Sequence, residues 1–115
     1  MINFLVDDRI QEIIDNTVDK EKLIEVSNFI DDHFKKENIQ LENYRWHALV
    51  NHISELIKRV KENGKLDELD PQMFADISES SKIFAKEVVD KVQPNLQEEE
   101  MFLLSIHFET IKAEA

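Results

Sequence analysis

The chain has 115 residues, 42% of them hydrophobic and 34% charged, with one Gly and two Pro, the profile of a single compact helical domain with few turns. Acids outnumber bases 25 to 14, a formal charge of −11, and such a surface repels phosphate backbones, so direct nucleic-acid binding by this chain is not expected. Without Cys there is no disulfide, no thiolate nucleophile and no Cys-based zinc site.

The opening residues, MINFLV, are too short and lack the basic region of a signal peptide, and no apolar run approaches transmembrane length. A soluble, cytoplasmic protein with no membrane partner is expected. Asp7 and Asp8 can cap a first short helix, Arg9–Asn16, with Ile10, Ile13 and Ile14 on one face. A second helical pattern runs from Lys20 to Lys36, with Leu23, Val26, Ile30 and Phe34 as its core face. His33 falls at the edge of that face beside Asp31 and Asp32, a setting that usually means solvation or ion pairing.

The longest clean pattern is Leu41–Asn63. Trp46, Leu49, Val50, Ile53, Leu56, Ile57 and Val60 recur at three- and four-residue steps and form one stripe at about 100° per residue. Gly64 follows as a natural left-handed stop. His52 lies at the border of the stripe, with Arg45 and Arg59 seven residues to either side on the same side of the helix. Glu55, one turn away, favours imidazolium, while the two arginines oppose it, and the residues alone leave the balance open. Ala48 is small and leaves room beside the ring. Two readings stand: a histidine edging the core and paired with Glu55 or a neighbouring helix, or an imidazole suited to attack and hold a phosphoryl group with arginines in reach. His47 lies about 140° around the helix from His52, so the two cannot share one metal ion, and His47 reads as structural or surface.

Residues 65–70 read as polar loop. Asp70 and Pro71 start a short helix, Pro71–Ile77, and the serines of Ser78–Ser81 separate it from a longer one, Ser80–Val92. Pro94 stops the chain, and Asn95 with Glu98 resembles a capping box for the last helix, Leu96–Lys112. Met101, Phe102, Leu103, Leu104, Ile106, Phe108 and Ile111 cover most of its circumference, so it should be buried in the domain or in a subunit interface. Glu98–Glu100 sit in its first turn, where negative charge suits the helix dipole. His107 lies within the apolar surface, where an imidazole costs free energy unless hydrogen-bonded. No nucleophile–base pair, phosphate-binding glycine loop or metal-ligand spacing is visible, so neither an enzyme nor a cofactor is expected.

Two histidines thus sit in recognisable frames. Asn51-His52-Ile53, followed by Leu56, Ile57 and Arg59, resembles the Asp-His-Ile…Arg signature of PTS regulation domains (PRDs). Glu100, followed seven residues later by His107-Phe108, resembles their second signature. Roughly 55 residues separate the two histidines, and the resemblance covers about residues 20–111 of a single domain, 1–115. It implies an all-α five-helix bundle, here with room for an extra short N-terminal helix, that forms homodimers and regulates bacterial transcription antiterminators and activators linked to sugar uptake. A phosphocarrier protein or a transporter subunit of the phosphotransferase system would be the phosphodonor. Residue by residue, the phosphoacceptors would be His52 and His107, with Arg59 at the helix-partner position; Arg45, by its place on the helix, and Asn51, beside His52, are also expected next to the phosphate. The chain departs from the pattern at Asn51, where the family has Asp, and at Glu55-Leu56, where it has Phe-Ala. With no RNA-binding domain before residue 20 and no second PRD, a stand-alone module is expected; the alternative is a helical dimerisation or interaction module that is not phosphorylated.

Overall fold

The computed structural model describes Ile2 and residues 4–114. Among the described residues there are five α-helices and no strand: α1 Asp8–Asn16, α2 Lys20–Lys36, α3 Asn43–Lys61, α4 Glu79–Val92 and α5 Glu98–Glu114. A single 3-10 turn, Pro71–Phe74, lies between α3 and α4. The fold is an all-α five-helix bundle, and the short N-terminal helix is the first of the five.

Local chemistry sets most of these boundaries. Asp7 caps α1 by accepting from the Ile10 N–H at 2.9 Å, and Asp19 caps α2 through Lys22 N–H at 3.1 Å. Two helices end on asparagine. Asn38 and Asn63 take left-handed φ values of 58° and 54°. Behind them the amides of Ile39 and Gly64 return to the carbonyls of Phe34 and Arg59, at 2.9 and 2.8 Å. This is the Schellman closure, which satisfies carbonyls that the helix end would otherwise orphan. Gly64 was the expected left-handed residue of α3; Asn63 takes that role instead, and Gly64 supplies the closing N–H.

Three other boundaries differ from expectation. Asp70 does cap the next element, but it winds only one 3-10 turn. Ser78 is the N-cap of α4, accepting from Ser81 N–H, so that helix starts at Glu79, one residue early. The last helix begins at Glu98 and not at Leu96, because Asn95 adopts φ 65° and turns the chain. The Gln97 side chain accepts from the Leu66 amide at 2.7 Å and donates to its carbonyl at 3.1 Å, which ties the start of α5 to the loop after α3.

The core lies along α3. Its buried Leu49, Val50, Ile53, Leu56 and Ile57 meet Ile10 and Ile14 of α1, Leu23, Val26 and Ile30 of α2, and Leu104 and Ile111 of α5. Each such side chain contributes about 1.5–3 kcal/mol on burial. α4 packs on α2 and α5 through an aromatic group: the Phe84 ring lies 5.9 Å from Phe34 and 4.7 Å from Phe108, centroid to centroid. His33, at the edge of α2, stacks on Phe84 at 3.5 Å and faces Glu37 at 3.4 Å, so it is a packing residue.

Candidate functional site

α3 and α5 run antiparallel, and their contact is marked by three polar layers. Arg45 pairs with Glu114, His52 meets His107, and Arg59 pairs with Glu100. Each step of seven residues up α3 is matched by a step of seven down α5. Seven residues are close to two helical turns, so all three layers fall on one line along the seam.

The middle layer holds the imidazoles. The rings are edge to face, with centroids 5.0 Å apart and planes at 65°. Nε2 of His52 is buried without a hydrogen-bond partner, while neither nitrogen of His107 is closed off in this way. Burial pushes the pKa of His52 down to about 4, with His107 and Arg59 adding to the effect. His107 is also lowered, first by burial and then by Arg45. Both rings therefore carry a free lone pair at neutral pH, the form of imidazole that acts as a nucleophile.

The outer layers differ from one another. At the N-terminal end of α5, Arg59 donates two bonds to Glu100, at 2.9 and 2.8 Å, and Glu100 is only 3% exposed. At the other end Arg45 donates to Glu114 through Nε at 3.0 Å and through Nη2, and Tyr44 donates to the same carboxylate at 2.9 Å. The Glu114 side chain there is 47% exposed. One arginine is locked to a buried partner and the other to a solvated one.

The PRD domain family model matches residues 27–111, about three-quarters of the chain. The chain belongs to the PRD domain family. The solved structure of a PRD-containing transcription regulator from Lactobacillus casei ATCC 334 resembles this PRD domain with a TM-score of 0.87 and 26% sequence identity, covering 98% of this chain and 100% of that one. No curated protein matches the chain in sequence.

Of the residues singled out in the sequence, His52, His107, Arg59 and Arg45 come together on the α3–α5 seam of this PRD. Asn51 does not join them: it is exposed and lines a groove between α1 and α3 with Arg9, His47, Ser54 and Lys58. Glu55 faces the same groove, so the balance at His52 falls to burial and the arginine side. His47 bonds Asp7 at 2.6 Å, joining α3 to the N-cap of α1. Glu100 is more than a first-turn charge, because it is the buried partner of Arg59. Glu114 and Tyr44 complete the seam and carried no signal of their own. The signal that could have found both glutamates is the repeat of seven on two helices read in opposite directions.

Proposed function

We propose that this PRD is a regulatory module controlled by histidine phosphorylation, with the His52–His107 pair as the acceptor site. The observation that carries this reading is two uncharged imidazoles 5.0 Å apart between two arginines. A phosphoryl group brings up to about two negative charges, and guanidinium groups are the natural partners for it. The donor is a phosphohistidine of a phosphotransferase-system carrier or transporter subunit, and the module acts in antitermination or a related step of sugar-linked transcription control. It works in the cytoplasm as a homodimer whose stability the added charge alters. It turns over no substrate of its own.

The test is phosphotransfer. The purified chain is incubated with phosphoenolpyruvate, the general phosphotransferase proteins and a panel of transporter subunits, and acid-labile label is measured. Label lost on replacing the histidines supports the reading; no transfer from donors that phosphorylate another PRD counts against it.

A second reading has an observation of its own. Met73, Ile83 and Ile106 are 69%, 57% and 42% exposed, and apolar side chains in water favour a protein interface. On this reading the module dimerises or binds a partner without chemistry. Dimerisation measured by ultracentrifugation would then be indifferent to phosphoryl donor and to His52→Gln or His107→Gln.

A further inference from the structure

The two histidines are not equivalent. Building on the phosphoacceptor reading, we propose that the phosphoryl group is carried by His107 and held by Arg45, which exchanges Glu114 for it, while Arg59 stays locked to Glu100.

Three observations lead there. Nε2 of His52 is sealed in protein with no partner, which leaves that ring Nδ1 alone for attack, whereas neither nitrogen of His107 is buried in that manner. The charged neighbour acting on His107 is Arg45, and the arginine acting on His52 is Arg59. The arginines also differ in what they leave behind. Taking Arg59 from Glu100 strands a carboxylate that is 3% exposed, a costly state for an ion in a low-dielectric setting. Taking Arg45 from Glu114 leaves a carboxylate that is 47% exposed and can be hydrated, so little is lost. A phosphate on His107 therefore finds a cation that can be released, and a phosphate on His52 does not.

The transfer step balances without any further reagent. The N–P bond of a phosphohistidine donor breaks, and its electron pair stays on the donor imidazole. The lone pair of an uncharged His107 nitrogen forms the new N–P bond. The proton shed by the other His107 nitrogen balances the one taken up, through water, by the donor's vacated nitrogen. One consequence reaches beyond the site: Glu114 keeps only the Tyr44 hydroxyl as its α3 partner, and the last turn of α5 is held to α3 less tightly.

The experiment uses the full chain and potassium phosphoramidate, a small donor that needs no docking surface. The labelled histidine is located by tandem mass spectrometry under mild conditions, and the phosphate is titrated by 31P NMR. Label on His107 that survives His52→Gln and vanishes in His107→Gln is expected. Arg45→Met should raise the 31P titration midpoint by at least about half a unit, a roughly threefold change in proton affinity that a merely structural arginine would not produce. Glu114→Gln, at an exposed position, should speed labelling. Label chiefly on His52, or a midpoint unmoved by Arg45→Met, overturns the inference and leaves the phosphoacceptor reading standing. Absence of label on both histidines overturns both.

Discussion

Lowering the pH should unfold this protein through His52. Its folded pKa is about 4 against an ordinary 6.5, with burial as the main cause. The unfolded chain therefore binds a proton between these values that the folded chain refuses. The stabilisation from keeping this ring neutral is complete above pH 6.5 and is lost as the pH falls toward 4. Worked from the two pKa values, the loss is about 2 kcal/mol at pH 5 and about 3 kcal/mol at pH 4. Against a total stability of about 5–15 kcal/mol for a domain, that is a large share. His107 moves in the same direction. The lowered carboxylates Asp7, Glu99, Glu109 and Glu114 add their losses at lower pH, below their ordinary values of 3.8 and 4.5. Trp46 is the single tryptophan, 5% exposed and stacked on Phe4 at 3.7 Å, so its fluorescence can follow urea unfolding at each pH. The wild type should lose about 2 kcal/mol between pH 7 and pH 5, and His52→Gln, which cannot titrate, distinctly less. Equal losses in the two proteins, or a His52 ring proton titrating near 6.5 by NMR, would refute the reasoning.

The outer layers of the seam give a contrasting pair: Arg59→Ala strands buried Glu100 and should cost about 3 kcal/mol or more. Arg45→Ala should cost about 1 kcal/mol or less, and chemical denaturation of both variants side by side checks the difference. Phe84→Ala removes the ring that touches Phe29, His33, Phe34 and Phe108, and should cost about 3–5 kcal/mol by thermal unfolding. Asp7→Ala loses the cap of α1 and the bonds to His47 and Asn43, so a drop of about 1–2 kcal/mol is expected, with hydrogen exchange in residues 8–16 rising first.

The parts legible in the sequence were those written in a local code. Apolar spacing in α2 and α3, the aspartate caps and the serine break before α4 each depend on neighbours a few residues away, and each can be read from the chain. Local signals gave six helical segments, one of which, Pro71–Ile77, is only a 3-10 turn, and the five-helix bundle and the two candidate histidines came from the family signatures. Asn63 taking the left-handed turn ahead of Gly64 was less legible, because both residues tolerate that conformation and the choice depends on where α3 stops. The family signature marked Glu100, but its role as the buried partner of Arg59 was not legible. Three consecutive glutamates at a helix start look alike to local patterning, and the phase of α5 decides which one turns inward. That phase is hidden in a helix with apolar residues nearly all the way round.

The same property gives the polar seam a second significance. For a helix oily on most sides, burial alone scarcely distinguishes one rotational setting from another. A shift of one residue along α3 would move α5 by about 1.5 Å and rotate it by about 100°. It would break both arginine–glutamate bonds and part the imidazoles in the same stroke. The three layers thus act as a key that selects one orientation of α5 among many of similar greasiness. Under the phosphoacceptor proposal, the residues that would receive the phosphoryl group are also those that choose the alignment of α5.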